Sequence, residues 1–144
     1  MQMNPYLLFK GQCEEAFKFY EKCFGGKIVA MLPHEGTPGA EQVTAEWRKK
    51  IMHAYMAVGD QALMGSDPPP QYYQEPKGFS VSIMVKQVAE AESVFHALAE
   101  GGQVKMPIQQ TFWSPRFGML VDKFGIPWMV NCEQAAQRTA GGAT

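Results

Sequence analysis

The segments Tyr6-Leu-Leu-Phe-Lys10, Glu14-Glu-Ala-Phe-Lys-Phe19 and Gly25-Gly-Lys-Ile28 decide the fold, because a similar version of each recurs later in the chain. At a shift of 76 positions they fall without a gap on Ser82-Ile-Met-Val-Lys86, Glu90-Ala-Glu-Ser-Val-Phe95 and Gly101-Gly-Gln-Val104. At a shift of 66, Ala62-Leu-Met-Gly-Ser-Asp67 falls on Trp128-Met-Val-Asn-Cys-Glu133. We therefore predict two copies of one folding unit within the 144 residues.

Each copy has the residue pattern of one strand, one helix and three short strands. Apolar residues recur at helical spacing, which places them on one helix face. These residues are Cys13, Ala16, Phe17, Tyr20, Cys23 and Phe24 in the first copy, and Val88, Ala91, Phe95 and Leu98 in the second. A double glycine follows each helix and favours its end. The predicted fold class is α+β, with two tandem βαβββ modules.

The boundaries of the modules follow from the repeat and from proline content. We predict a single domain over 1–144, with a first module at 2–66, a proline-rich linker at 67–78, a second module at 79–133 and a loose tail at 134–144. The first copy carries ten extra residues between about Met31 and Lys50, which we predict to be a long loop. Because one module buries too little surface to be stable alone, we expect paired curved sheets around a ligand-binding cleft.

Composition excludes some partners and favours one compartment. The net charge of -1, with both signs spread along the chain, provides no basic stripe for nucleic acid. No apolar run reaches the length of a membrane span. The N-terminus lacks the pattern of a secretory signal, so we expect a cytoplasmic protein. The three cysteines have no disulfide or zinc spacing and are interpreted as core residues.

Several short stretches resemble one family in particular. They are Asn4-Pro-Tyr-Leu7, Cys13-Glu-Glu-Ala16, Phe24-Gly-Gly26, Ile51-Met-His-Ala54, Met64-Gly-Ser-Asp67, Thr111-Phe-Trp113 and Asp122-Lys-Phe-Gly-Ile-Pro-Trp-Met-Val-Asn131. From Asn4 to Glu133 the chain resembles the PhnB-like branch of the vicinal-oxygen-chelate superfamily, which includes glyoxalase I, bleomycin-resistance proteins and extradiol dioxygenases. The resemblance implies paired βαβββ modules and a homodimer. The branch is often called a 3-demethylubiquinone-9 3-methyltransferase domain, but the sequence has no GxGxxG-like loop for a methyl donor.

The resemblance also implies where a divalent metal would be held. Typical members use His, Gln or Glu from the first and fourth strands of each module. In this chain those positions fall near Pro5, Val81, Leu63 and Met129. Neighbours one residue away offer no imidazole or carboxylate, which such metals prefer. We therefore predict no metal ligands and no cofactor.

Other residues are candidates for binding or catalysis. His53 lies in an apolar strand and is the candidate catalytic base, although a hydrogen-bonded structural histidine fits the pattern equally well. The ligand-binding candidates are Tyr6, Phe112, Trp113, Arg116, Met129 and Asn131. Among them, the two loop aromatics would cap an apolar ligand, and Arg116 would bind a carboxylate or phosphate. Packing of the same loop at a dimer interface is the alternative. His34 and His96 are predicted to be solvent-exposed.

Three functional hypotheses remain open from the sequence. In the first, a homodimer binds a small, mostly apolar molecule in the cleft without the usual metal. In the second, the chain is a lyase, isomerase or dioxygenase-type enzyme that uses His53 and a divalent metal. In the third, it is a structural or partner-binding dimer whose cleft is filled by its own side chains. The sequence identifies neither a substrate nor a reaction.

Overall fold

The computed structural model of the chain describes residues 1–133, so the predicted tail lies outside the described residues. The chain divides into two compact units, and the division falls between Glu75 and Pro76, inside the proline-rich segment. Within the described part, no helix combines the length and apolar character needed to cross a membrane.

The first unit is a four-stranded sheet with one α-helix. Its elements are β1 (Tyr6–Leu8), α1 (Cys13–Phe24), β2 (Lys27–Pro33), β3 (Ile51–Val58) and β4 (Gln61–Ser66). The strand order is β1-β4-β3-β2. Strands β1 and β4 are parallel, and the other neighbours are antiparallel.

The second unit repeats this topology. Its elements are β5 (Val81–Val85), α2 (Val88–Ala99), β6 (Gln103–Gln109), β7 (Phe117–Val121) and β8 (Pro127–Cys132). The order β5-β8-β7-β6 again places the first and fourth strands side by side and parallel. The prediction of two tandem βαβββ modules in an α+β fold is therefore confirmed.

Each helix packs on one face of its own sheet. In α1, all the predicted face residues except Phe24 are buried. In α2, Val94 is buried and Val88 is partly exposed, a correction to the predicted face. Glycines in the sheets make room for the helix rings: a Cβ at Gly65 would lie 2.8 Å from Phe17 Cε1, and one at Gly118 would lie 2.6 Å from Phe95 Cε1.

The register of the fourth strands corrects the sequence alignment by one residue. Tyr6 pairs with Met64, and Ser82 pairs with Met129. With Tyr6 aligned on Ser82, the equivalent of Met129 is Met64, whereas the shift of 66 had matched it to Leu63. The hairpin before β8 is longer, since Val121 pairs with Pro127 whereas Val58 pairs with Gln61. A one-residue slip exchanges the two faces of a strand, so the correction decides which side chains are compared.

The insertion between β2 and β3 is a loop, as predicted, but it is held in place by internal contacts. Two short 3-10 helices, Ala40–Gln42 and Trp47–Lys49, lie within it. The prediction that His34 is solvent-exposed is wrong: its side chain is buried, and Nε2 lies 2.7 Å from the carbonyl oxygen of Asp67. Trp47 Nε1 donates to the carbonyl oxygen of Pro68 at 3.1 Å. His96 is exposed on α2, as predicted.

Asp67, assigned to the linker from the sequence, is a buried structural residue with 1% of its surface exposed. Its Oδ1 accepts hydrogen bonds from the backbone N–H groups of Gly11 at 2.8 Å and Cys13 at 3.1 Å. Its Oδ2 accepts from the N–H of Ile51 at 3.0 Å. The carboxylate therefore joins the segment at the start of α1 to the start of β3, the strand that carries His53.

Candidate functional site

Each sheet has one face that its helix covers and one that it leaves free, which we call the helix-free face. Side chains alternate between the two faces of a strand, and paired residues share a face. In the first unit, Leu7, Ala54 and Gly65 lie in one row beneath α1. The helix-free face of this sheet therefore carries the alternating set Tyr6, Leu8, Leu32, His53, Tyr55 and Met64.

Tyr6 and His53 form a polar pair on the first helix-free face. The phenol oxygen lies 3.1 Å from His53 Nδ1, and the two rings stack with centroids 5.8 Å apart. Since β4 lies between β1 and β3, the Tyr6 side chain reaches across one strand to make this contact. Within residues 1–133, no group hydrogen-bonds His53 Nε2.

The hydrogen bond of this pair can run in either direction, depending on the tautomer of His53. If the phenol donates to Nδ1, a neutral imidazole carries its proton on Nε2 and offers a ligand a donor there. If Nδ1–H donates to the phenol oxygen, Nε2 is an acceptor and a candidate base. The direction of the hydrogen bond with Tyr6 therefore determines whether His53 Nε2 is a donor or an acceptor.

Thioethers dominate the helix-free face of the second sheet. One row across the strands contains Ser82, Met129, Met119 and Met106. The next row contains Met84, Asn131, Phe117 and Gln109. Two of the predicted ligand-binding residues, Met129 and Asn131, thus lie on the same face. Methionine side chains adapt to the shape of an apolar partner.

Asn131 has an unsatisfied acceptor. Among residues 1–133, its Oδ1 is the one buried side-chain polar atom without a hydrogen-bond partner. Its neighbours in the row are the apolar side chains of Met84 and Phe117. Buried polar groups are normally paired, so an orphaned one requires an explanation.

The loop before β7 holds two aromatic residues in a fixed arrangement. The Ser114 hydroxyl donates to the carbonyl oxygen of Arg116 or of Cys132, at 2.7 and 3.0 Å, and the backbone N–H of Ser114 donates to Thr111 Oγ1. Phe112 and Trp113 meet edge to face at 5.0 Å.

This loop joins the second helix-free face through aromatic contacts. Trp113 meets Phe117, the neighbour of Asn131, with ring centroids 5.3 Å apart. Phe112 is 97% exposed. Arg116 is turned toward α2, where Nε lies 2.8 Å from Glu92 Oε2. The guanidinium of Arg116 therefore already has a carboxylate partner within its own unit.

The residues at the expected metal positions do not fit a divalent cation. On the helix-free faces, the first and fourth strands contribute Tyr6 with Met64 and Ser82 with Met129. A phenol, a hydroxyl and two thioethers are poor substitutes for imidazole and carboxylate. Over the described residues, no three His, Cys, Asp or Glu side chains cluster as metal ligands.

The structure brings the sequence-predicted residues into two groups. Tyr6 and His53 form one group on the first sheet, and Trp113, Met129 and Asn131 lie in or beside the second sheet. Sequence reasoning missed Phe117, which connects Trp113 to Asn131. Its alternation with Met119 was visible, but the pairing with Asn131 depends on the register of β7 against β8.

Comparisons with known proteins agree with this fold. Residues 2–130 match the Glyoxalase/Bleomycin resistance protein/Dioxygenase superfamily. The protein YjdN of Escherichia coli (strain K12) is 32% identical over 139 residues, which cover 91% of this chain and 95% of YjdN. Protein PA1353 of Pseudomonas aeruginosa has a crystal structure that superimposes with a TM-score of 0.84 at 51% identity, covering 92% of this chain and 98% of PA1353.

A third similar structure is the PhnB protein of Bacillus cereus, which carries the name 3-demethylubiquinone-9 3-methyltransferase. It superimposes with a TM-score of 0.73 at 27% identity, and the match covers 92% of this chain and 99% of that protein.

Proposed function

The chain belongs to the glyoxalase/bleomycin resistance protein/dioxygenase superfamily, and from this membership together with its two helix-free faces we propose that it binds a small, mostly apolar molecule. The main support is the row of methionines on the second sheet. Phe117 and Asn131, whose side-chain oxygen has no hydrogen-bond partner, lie in the next row. Ligand sites are typically apolar with a small number of polar groups that fix orientation. The composition of this face matches that description.

The proposal places the predicted ligand-binding residues in distinct roles. Met129 and Trp113 contribute apolar surface, and Asn131 contributes a polar contact. Tyr6 and His53 form the polar group of the first sheet. Phe112, at the tip of the loop, covers a ligand from its edge. Arg116 holds the loop through Glu92.

We do not extend the methyltransferase name of the Bacillus cereus protein to this chain. Methyl donors such as S-adenosylmethionine usually bind at a glycine-rich turn between a strand and a helix of a doubly wound sheet. Each unit here is a four-stranded mixed sheet with one helix against it, and the sequence lacks the glycine-rich turn.

We further propose a cytoplasmic homodimer. All three cysteines are buried and free, which fits a reducing compartment. The dimer rests on the family resemblance, and sedimentation velocity tests it. A species with twice the mass of the 16.0 kDa chain is expected. A sample that contains only monomer would contradict the proposed dimer.

A thermal-shift screen tests the binding proposal. A ligand held only by the folded state stabilises it by about 2.7 kcal/mol at a concentration of 100 times Kd, which is readily detected as a rise in Tm. Aromatic and aliphatic compounds without charge are expected to raise Tm. Met129→Glu places a carboxylate on the methionine row and is expected to abolish the rise.

The matched control for this screen is His96→Ala, at an exposed position of α2. It is expected to retain the full ligand-dependent rise in Tm. The proposal is contradicted if no apolar compound raises Tm, or if Met129→Glu responds as His96→Ala does.

A second candidate function is catalysis, and the hydrogen bond between Tyr6 and His53 favours it. In the tautomer whose Nδ1–H donates to the phenol oxygen, His53 Nε2 is an acceptor and is suited to proton transfer in a lyase or isomerase reaction. If a compound from the screen is also converted, His53→Ala is expected to abolish turnover while His96→Ala preserves it. Turnover that survives His53→Ala would remove this candidate.

A further inference from the structure

We infer that His53 donates a hydrogen bond from Nε2 to the bound molecule, and that Tyr6 fixes this role by donating to Nδ1. The helix-free face of the first sheet then selects apolar ligands that carry an acceptor, such as the oxygen of an uncharged ketone. This inference rests on the proposed binding function and specifies the chemistry of the ligand. It assigns His53 as a residue that determines specificity and Tyr6 as the residue that positions it.

The first step is that a ligand can reach His53 Nε2. Among residues 1–133, no group hydrogen-bonds this nitrogen. In the same part of the chain, Asn131 Oδ1 is the one fully buried side-chain polar atom that lacks a partner. Because Nε2 also lacks a partner, it is not fully buried. His53 is partly exposed and Tyr6 beside it is 44% exposed, so the pair is open to a ligand.

The second step concerns the direction of the hydrogen bond between Tyr6 and His53, whose two polar atoms lie 3.1 Å apart. A phenol O–H is more acidic than the N–H of a neutral imidazole. The bare imidazole nitrogen is also much more basic than a phenol oxygen, whose lone pairs are delocalised into the ring. The stronger donor therefore meets the stronger acceptor when the phenol donates to Nδ1. A neutral imidazole that accepts at Nδ1 carries its proton on Nε2.

The third step is that the donor at Nε2 persists when the imidazole is charged. An imidazolium carries a proton on both nitrogens, so Nδ1–H donates to the phenol oxygen and Nε2–H remains available. The two rings are nearly parallel, with 24° between their planes, and this stacking limits rotation of the imidazole. A ligand therefore meets a donor at Nε2 in both charge states, and an acceptor only in the tautomer that the phenol disfavours.

The fourth step concerns the surface around the pair. Leu32, which is 48% exposed, pairs with His53, and Met64 pairs with Tyr6. An apolar ligand that covers this surface removes water from Nε2–H, and a donor left without a partner costs free energy. A ligand whose carbonyl oxygen accepts from Nε2–H avoids that cost, whereas a hydrocarbon of the same shape does not. The face therefore discriminates in favour of the acceptor.

Nitrogen chemical shifts test the tautomer on the full chain. In isotope-labelled protein, long-range proton–nitrogen correlation spectra distinguish the protonated ring nitrogen from the unprotonated one, at a pH where the imidazole is neutral. Wild type is expected to carry the proton of His53 on Nε2. Tyr6→Phe removes the phenol and is expected to give a mixture of the two tautomers. Tyr72→Phe, at an exposed position between β4 and β5, is the matched control and should keep the wild-type spectrum.

Two matched probes test the specificity. Acetophenone carries a carbonyl group, and α-methylstyrene has nearly the same shape with a CH2 group in place of the oxygen. Their dissociation constants are measured by ligand-observed NMR titration. Because the hydrocarbon is more apolar, the informative quantity is the change in relative affinity on substitution. The relative affinity for acetophenone is expected to fall about fivefold in His53→Phe, the effect of one net hydrogen bond, and to stay unchanged in Tyr72→Phe.

The outcomes separate this inference from the function on which it rests. A wild-type spectrum with the proton on Nδ1 overturns the inference and leaves Nε2 as the acceptor that the catalytic candidate requires. A spectrum that Tyr6→Phe does not change overturns the role of Tyr6, and an unchanged relative affinity in His53→Phe overturns the role of His53. The binding function stands in these cases if either probe binds. If neither binds at millimolar concentration, and no apolar compound raises Tm, the binding function is wrong as well.

Discussion

Replacement of Asp67 by asparagine is expected to destabilise the first unit strongly, although the two side chains have nearly the same shape. The carboxylate accepts three backbone hydrogen bonds, two on Oδ1 from Gly11 and Cys13 and one on Oδ2 from Ile51. An amide retains one acceptor oxygen and presents an NH2 group in place of the other. Whichever orientation it adopts, at least one buried N–H faces a donor.

The magnitude follows from these contacts. With the amide oxygen in the Oδ1 position, the bonds from Gly11 and Cys13 remain but lose their charge assistance, and the N–H of Ile51 loses its acceptor. A hydrogen bond to a charged group contributes about 1.5–3 kcal/mol. We therefore expect Asp67→Asn to lower the free energy of unfolding by about 3 kcal/mol.

Urea unfolding followed by circular dichroism measures this loss. With a slope of about 2 kcal/mol per molar urea, the midpoint is expected to fall by about 1.5 M. Asp60→Asn, at an exposed position in the hairpin between β3 and β4, is the control and should change stability by less than about 0.5 kcal/mol. A loss at Asp67 below about 1 kcal/mol, or one equal to the control, would refute the role assigned to this carboxylate.

Three further predictions concern the stability of the chain. Asn131→Leu should raise the free energy of unfolding by about 1 kcal/mol in urea, because it removes an unpaired buried acceptor; a loss of stability would contradict the orphaned state. Gly118→Ala should lower it by about 1–3 kcal/mol, since the added Cβ would lie 2.6 Å from Phe95 Cε1, whereas Gly39→Ala meets nothing within 4 Å and should not. Burial, then Asp67 and Glu14, raises the pKa of Cys13 above its ordinary value of 9.0. Above that pH the unfolded chain loses a proton that the folded chain keeps, so the free energy of unfolding should fall by up to about 1.4 kcal/mol per pH unit, and Cys13→Ala should show a shallower fall.

The repeat and the apolar periodicities sufficed to predict the fold because both are local properties of the chain. The helix face from Cys13 to Cys23 depends only on spacing along one helix. The hairpin at Gly59-Asp60 depends on two residues between two apolar runs, and Gly59 indeed has a φ of +62°. These features need no knowledge of which segments meet in space.

His34 and Asp67 were misjudged because their contacts are distant in sequence. His34 is buried by a hydrogen bond to the backbone of a residue 33 positions away, and Asp67 accepts from a residue 56 positions away. A polar residue in a segment rich in proline and glycine has the composition of a loop. The local sequence does not distinguish an exposed polar residue in a loop from a buried one that hydrogen-bonds with distant backbone groups.

The candidate site was predictable only along single strands. Alternation placed Met129 and Asn131 on one face before any partner was known. The contribution of Phe117 required the register between β7 and β8, and the equivalence of Met64 with Met129 required the length of the longer hairpin. Turn geometry sets register in hairpins, and a difference in turn length was enough to shift the alignment by one residue.

The corrected register shows where the two copies have diverged. The helix-free rows place Met64 opposite Tyr6 and Met129 opposite Ser82, so methionine occupies the equivalent fourth-strand position in both units. Two residues further on, Ser66 of the first unit corresponds to Asn131 of the second. Methionine is therefore common to both copies at this fourth-strand position, whereas its partner on the next strand is Tyr55 in the first unit and Met119 in the second.

Because this methionine is shared, it cannot by itself give the two faces different preferences. The phenol and imidazole of Tyr6 and His53 occur on one sheet, and the unpaired amide of Asn131 occurs on the other. Apolar contacts supply affinity with little discrimination, and a buried polar group discriminates strongly because it penalises a ligand that leaves it unpaired. Under the proposed binding function, we therefore expect ligand selectivity to depend on the positions at which the two halves differ, and substitutions there to change it most.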